Sequence, residues 1–136
     1  MPANTNPIFI ATRRSVGVEL DNADSTNQVT LWTAGANGSL IEAIAITSTD
    51  TSAVELDLYL YDGAASFALG SVTVPIASGT NGGTTAAVDG LTQTELPWLR
   101  DDLALAVAAG CSLKAAAHAA ITSAKVVHVS LFGGDY

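Results

Sequence analysis

The chain has 136 residues, of which 49% are apolar and only 13% charged, and its 13 acidic and 5 basic residues give a formal charge of −8. That length suits one domain that buries roughly two thirds of the surface its unfolded chain exposes. The acidic balance speaks against nucleic acid or an anionic membrane as partner, because phosphate binding needs clustered Lys and Arg, and only Arg13 and Arg14 are adjacent. A surface so poor in charge is expected to rest against neighbours, which favours an oligomer or assembly over a monomer. Cys111 is the single cysteine, so no internal disulfide is available and stability must come from packing.

The first segment, MPANTNPIFIATRR, sets Ile8, Phe9 and Ile10 among two prolines and two asparagines. Proline and asparagine resist regular structure while the apolar trio can dock on a surface, so residues 1–14 are expected to form an extended arm. The long apolar stretch behind positive charge that marks a secretory signal is not expected here, and the low-charge tract 103–124 does not read as a membrane-spanning helix.

Beyond the arm, strands are predicted at 15–20, 28–34, 40–48, 53–61, 67–76, 103–108, 112–118 and 124–132. The clearest lies in AVELDLYLY, where Val54, Leu56, Leu58 and Leu60 alternate with Glu55, Asp57, Tyr59 and Tyr61, the two-residue period of a half-buried strand. Eight short strands with Gly, Asn and Asp between them predict an all-β antiparallel sandwich or jelly-roll-like barrel over residues 15–136. Alanine in 103–121 favours helix, but Leu103, Leu105 and Val107 alternate and Gly110 interrupts, which favours two strands and a turn. Residues 77–92, with four glycines among small polar residues, read as a long loop, either a contact loop or a plain connection. Leu96, Pro97, Trp98 and Leu99 form an apolar knot expected to cap the core.

Chemical readings find little support. Cys111, His118 and His128 are the candidates for nucleophile and base, but no nucleophile motif surrounds Cys111, which reads as a small half-buried residue, and the histidines read as sheet residues in apolar surroundings. One cysteine and two histidines are too few for a structural zinc site. Asp21 and Asp24 resemble a calcium loop only loosely, since the alternate spacing and its glycine are missing. Asp101 and Asp102, if on a strand, would point to opposite faces. Asp62-Gly63 reads as a tight turn, and Gly82-Gly83 lacks the lysine of a phosphate loop. No catalytic, metal or cofactor site is expected, and the chain is not read as an enzyme.

The segments NTNPIFIAT, LWTAGANGSLIEAIAI, LYLYDG, GCSLKAAAH and SLFGGDY together resemble small virion structural proteins of tailed bacteriophages, of the capsid decoration or cement type. The resemblance implies a compact β-sandwich that sits as a homo-oligomer, a trimer in the usual case, on the outer surface of the capsid and clamps major capsid protein subunits. In that setting the apolar trio Ile8, Phe9 and Ile10 is expected to dock on the capsid, and Arg13 and Arg14, as the only adjacent basic pair, to pair with acidic capsid groups. Two alternatives stay open: a tail or fibre component, and a carbohydrate-binding sandwich using Trp32, Trp98, Tyr59 or Tyr61.

Overall fold

The alternation read in AVELDLYLY is realised in three dimensions. Val54, Leu56 and Leu58 are buried, whereas Glu55 is exposed and Asp57, Tyr59 and Tyr61 are half-buried on the opposite face. The computed structural model describes residues 9–80 and 85–136, so Ile8 and the Gly82-Gly83 pair lie outside the described residues. Among the described residues there are nine strands: β1 (Thr12–Asp21), β2 (Val29–Thr33), β3 (Ser39–Ser48), β4 (Val54–Tyr61), β5 (Ser66–Val74), β6 (Val88–Asp89), β7 (Leu105–Val107), β8 (Ser112–Ala117) and β9 (Val126–Asp135). They form an all-β antiparallel sandwich. The first sheet runs β1–β9–β3, with β6 and β7 both against the far edge of β3, and the second runs β2–β8–β4–β5.

Each predicted strand is present, with shifted ends. β1 starts at Thr12 rather than 15, so Arg13 and Arg14 belong to a sheet and not to the arm. The expected loop 77–92 contains β6, which pairs through Val88 and Asp89 with Ile46 and Ala45, and it delivers Leu91 to the core. The alanine-rich span is two strands, as read: Ala115 and Ala117 face inward from β8, where small side chains fit between β2 and β4 on either side. Among the described residues no helix is long and apolar enough to cross a membrane.

Strict alternation fails at three bulges, and two of them let apolar residues of opposite phase share the core. Between Ile41 and Ala43 the pairing of β3 with β9 slips by one residue, so that Ile41, Ile44 and Ile46 all point inward while Glu42 is turned out to solvent. A bulge at Leu31 lets consecutive Leu31 and Trp32 both be buried. The third, opposite the Leu58–Tyr59 step, makes Leu69 the extra residue of β5. An extra residue changes the phase of the side chains beyond it, which is how a strand buries neighbours that the two-residue period would separate.

β9 is paired on both sides along its length, with β1 and with β3. Its last turn of sequence, Gly133-Gly134, lies where these strands come closest. A Cβ on Gly133 would collide with the Leu40 carbonyl, and one on Gly134 with the Ile10 side chain and the Thr12 carbonyl. Gly133→Ala is therefore expected to lower stability by at least ~2 kcal/mol and the thermal midpoint by several degrees. Gly17→Ala, whose new methyl would meet nothing within 4 Å, should leave the midpoint unchanged or slightly raised. Thermal unfolding followed by circular dichroism separates the two.

Candidate functional site

Small residues occupy the middle of the outer face of the first sheet. Across it, Ser15, Phe132 and Ala43 form one row and Gly17, Ser130 and Ala45 the next. Phe132, with Ser15 and Ala43 directly across from it on either side, stands 46% exposed. Next to it lies an open groove of about 490 Å³ with a floor of Ala43, Ala45 and Val88 and walls of Leu103 and Phe132. Three acidic residues, Glu42, Asp89 and Asp102, also line it. The groove exists because β6 and β7 cover different stretches of β3 and leave a gap between them. Leu103 adopts φ +53, a left-handed conformation that costs a non-glycine residue about 1–3 kcal/mol. It is held there by its N–H on the Arg100 carbonyl and by the Asp102 carboxylate on the N–H of Ala104. A strained apolar side chain held partly in solvent fits a contact role better than a packing one.

The residues expected to touch a partner divide into separate environments. Phe9 is 76% exposed and free to make contact, while Ile10 is half-buried against Gly134. Arg13 faces outward and pairs with Glu42 at 2.7 Å. Arg14, one residue on, faces the other way. Its guanidinium donates to Asp135 and to the Thr33 carbonyl, both at 2.9 Å, and lies 4.2 Å above the ring of buried Trp32. Asp135 also accepts from the Ser39 hydroxyl, which in turn accepts from the Gly35 N–H. The Ser39 and Arg14 contacts hold the Asp135 carboxyl below its ordinary range. Arg14 is thus a tie between β1, β2, β3 and β9, and the adjacent arginines do not form a basic pair.

A second polar centre joins the β3–β4 corner to the chain entering β9. Asp50 is buried, accepts from the Thr122 N–H and hydroxyl at 2.9 and 2.7 Å, and accepts from the Ser52 N–H. Burial alone would raise its pKa, but these donors outweigh burial and hold the carboxyl below the ordinary 3.8. Asp62 is lowered as well, by the N–H groups of Ala65 and Ala64, in the turn that Asp62-Gly63 predicts.

Other candidates take structural places. Asp21 and Asp24 close a capping box on a single 3-10 turn, Asn22–Asp24, and not a calcium loop. Asp101 and Asp102 lie in a turn and share one open depression with Arg100, so the expected opposite faces of a strand do not arise. Cys111 is half-buried against the core. The histidines, expected in apolar surroundings, are instead exposed among carboxylates: His128 is 2.8 Å from Glu19, and His118 is 3.5 Å from both Glu55 and Asp57. Among the described residues no group of His, Cys, Asp and Glu is arranged to hold a metal.

Leu96 and Leu99 enter the core as the apolar knot predicts, but Trp98 does not. It lies on the surface and donates its indole N–H to the Leu69 carbonyl. Of the aromatics a sugar site would need, Trp32 is buried and Tyr61 is covered by the Lys114 ammonium at 4.0 Å. Sequence reasoning missed the groove. Its signal was the exposed phase of Phe132 in AKVVHVSLF, where alternation alone places Phe132 on the wet side.

No protein-family model matches the chain, and no curated protein matches it.

Replacing Arg14 with Ala leaves Asp135 without its cation and removes the cover of Trp32, so a loss of about 2–3 kcal/mol is expected in denaturant unfolding, against under ~0.5 kcal/mol for exposed Arg13→Ala. Asp50→Ala orphans three donors and should cost about 1–3 kcal/mol. Because the folded carboxyls of Asp50, Asp62 and Asp135 titrate below 3.8, their stabilisation is present above that value and is lost as pH falls through the lower folded values. The stability gap between wild type and Asp50→Ala should therefore narrow below pH ~4.

Proposed function

We propose that this protein is a capsid decoration or cement protein of a tailed bacteriophage, binding the outer surface of the assembled head and bridging major capsid protein subunits. The groove beside Phe132 carries this reading: an open groove lined by apolar residues together with Glu42, Asp89 and Asp102. Such a groove can seat an apolar side chain of a partner while its acidic residues meet the partner's cations. Exposed Phe9 adds a second adhesive point at the start of β1. The strand order also supports the jelly-roll form of the sandwich, since β9 lies between β1 and β3 in one sheet and β8 between β2 and β4 in the other.

Physically, a ligand that binds the assembled lattice and not free subunits stabilises the shell by mass action, and many weak contacts at once raise effective affinity. The acidic exterior also limits adhesion to DNA during assembly. In purified particles the chain should be present in on the order of hundreds of copies located on the head, as lattice binding requires. A few dozen copies or fewer would assign it to the tail. Ala45→Arg, which fills the groove with a charged side chain, should cut head occupancy at least ~10-fold, the equivalent of 1.4 kcal/mol. Thr73→Arg on the opposite sheet should leave occupancy unchanged, and equal occupancy for both variants would remove the groove from the contact.

A further inference from the structure

Three edges of the sandwich are short or covered, and one is neither. The far edge of β3 carries β6 and β7. The edge of β5 is crossed by Trp98, hydrogen-bonded to Leu69 at 2.7 Å, with Leu96 packed over Gly70. β2 is only 5 residues long. β1, with 10 residues, pairs with β9 on one side, and no described strand pairs with it on the other. Proteins usually blunt such an edge with a proline, a bulge or an inward charge at mid-strand, because bare N–H and C=O groups invite another strand. Thr12–Asp21 has no proline, its register with β9 is unbroken, and its one inward charge, Arg14, lies near its start and is bound to Asp135. Its inward-facing Val16 and Val18 remain half-buried, whereas Leu20 is closed over. A strand added here would complete their burial.

We propose that the added strand is β1 of a second copy, paired antiparallel about a two-fold axis at Val16, so that the two first sheets become one continuous sheet. Charge fixes the register. With Val16 opposite the partner's Val16, each outward-facing Arg13 meets the partner's Glu19, and Ser15 meets the partner's Gly17. Opposite charges directly across a strand pair are favourable and like charges are not. Moving the register two residues one way sets Arg13 opposite Gly17. Moving it two residues the other way sets Arg13 opposite Asp21, whose carboxylate already caps the 3-10 turn.

Both charged groups have capacity left. The Arg13 side chain is 75% exposed with one nitrogen on Glu42, and Glu19 is 55% exposed with one oxygen on His128. Beside the axis, a side chain at Gly17 would meet nothing within 4 Å, so the outer face leaves the approach open. The contact is isologous, each copy giving and receiving the same pair. It is independent of the capsid reading, and it predicts pairs where the resemblance to decoration proteins implies trimers.

Sedimentation equilibrium of the full chain at low salt, from micromolar to near-millimolar concentration, should show the mass rising from 13.8 kDa to twice that value. Arg13→Glu leaves two facing acidic pairs and Glu19→Arg two facing basic pairs, so each variant alone should dissociate at least ~10-fold more readily than wild type. Mixed in equal amounts they should associate again, because the mixed pair restores opposite charges at both ends. Recovery on mixing also shows that each variant is folded. A wild type that stays monomeric or forms trimers overturns the proposal, and so do single variants that dimerise like wild type or a mixture that does not recover.

Discussion

The core of this sandwich depends on one-residue slips in strand pairing, at Leu31 and at Glu42. Because side chains alternate, a strand buries every second residue and a single extra residue exchanges its faces. β3 needs Ile41, Ile44 and Ile46 inside, and an unbroken strand could bury Ile44 and Ile46 only by turning Glu42 in with them. The slip at Glu42 avoids a buried carboxylate, which is among the costliest groups to place in an apolar interior. The same slip brings Glu42 to Arg13 and to the lining of the groove. Packing and surface chemistry on this side thus have one geometric origin.

Much of the fold was legible in residue pattern, and the parts that were not have physical reasons. β4 was readable because its apolar and polar residues alternate without error over eight positions. The bulges were hidden because Leu31-Trp32 and Ile41–Ile44 violate the period by which strands are recognised. β6 has only two residues and follows a run rich in glycine and threonine, so its pairing is decided by β3 and not by its own propensity. Arg13 and Arg14 read as a basic pair in sequence, but on a strand adjacent residues face opposite sides. The inward series Arg14, Val16, Val18 and Leu20 already contained the correction, had the strand been extended back to Thr12. The groove is the least legible feature, since it is assembled from β3, β6, β9 and the turn at Leu103.

The few cations of the chain are mostly turned on the protein itself. Arg14 is drawn inside the sandwich, Arg13 meets Glu42, and Lys114 covers Tyr61. The acid therefore dominates what a partner meets, and a neutral or basic surface suits it better than an acidic one. Two regions of the first sheet are uncovered among the described residues: the groove on its outer face and the outer edge of β1.

The place of β9 has a consequence for how the molecule comes into being. It is the central strand of the first sheet and the last strand in sequence, and contacts such as Arg14 with Asp135 join residues 121 apart. Pairings this distant form slowly, since a long loop must close before they reward it. During synthesis β1 and β3 leave the ribosome well before the strand that belongs between them. For that interval, each shows an apolar face and an empty row of hydrogen-bonding groups. Any product of interrupted translation ending short of Val126 stays in that condition and is adhesive toward whatever strands lie nearby.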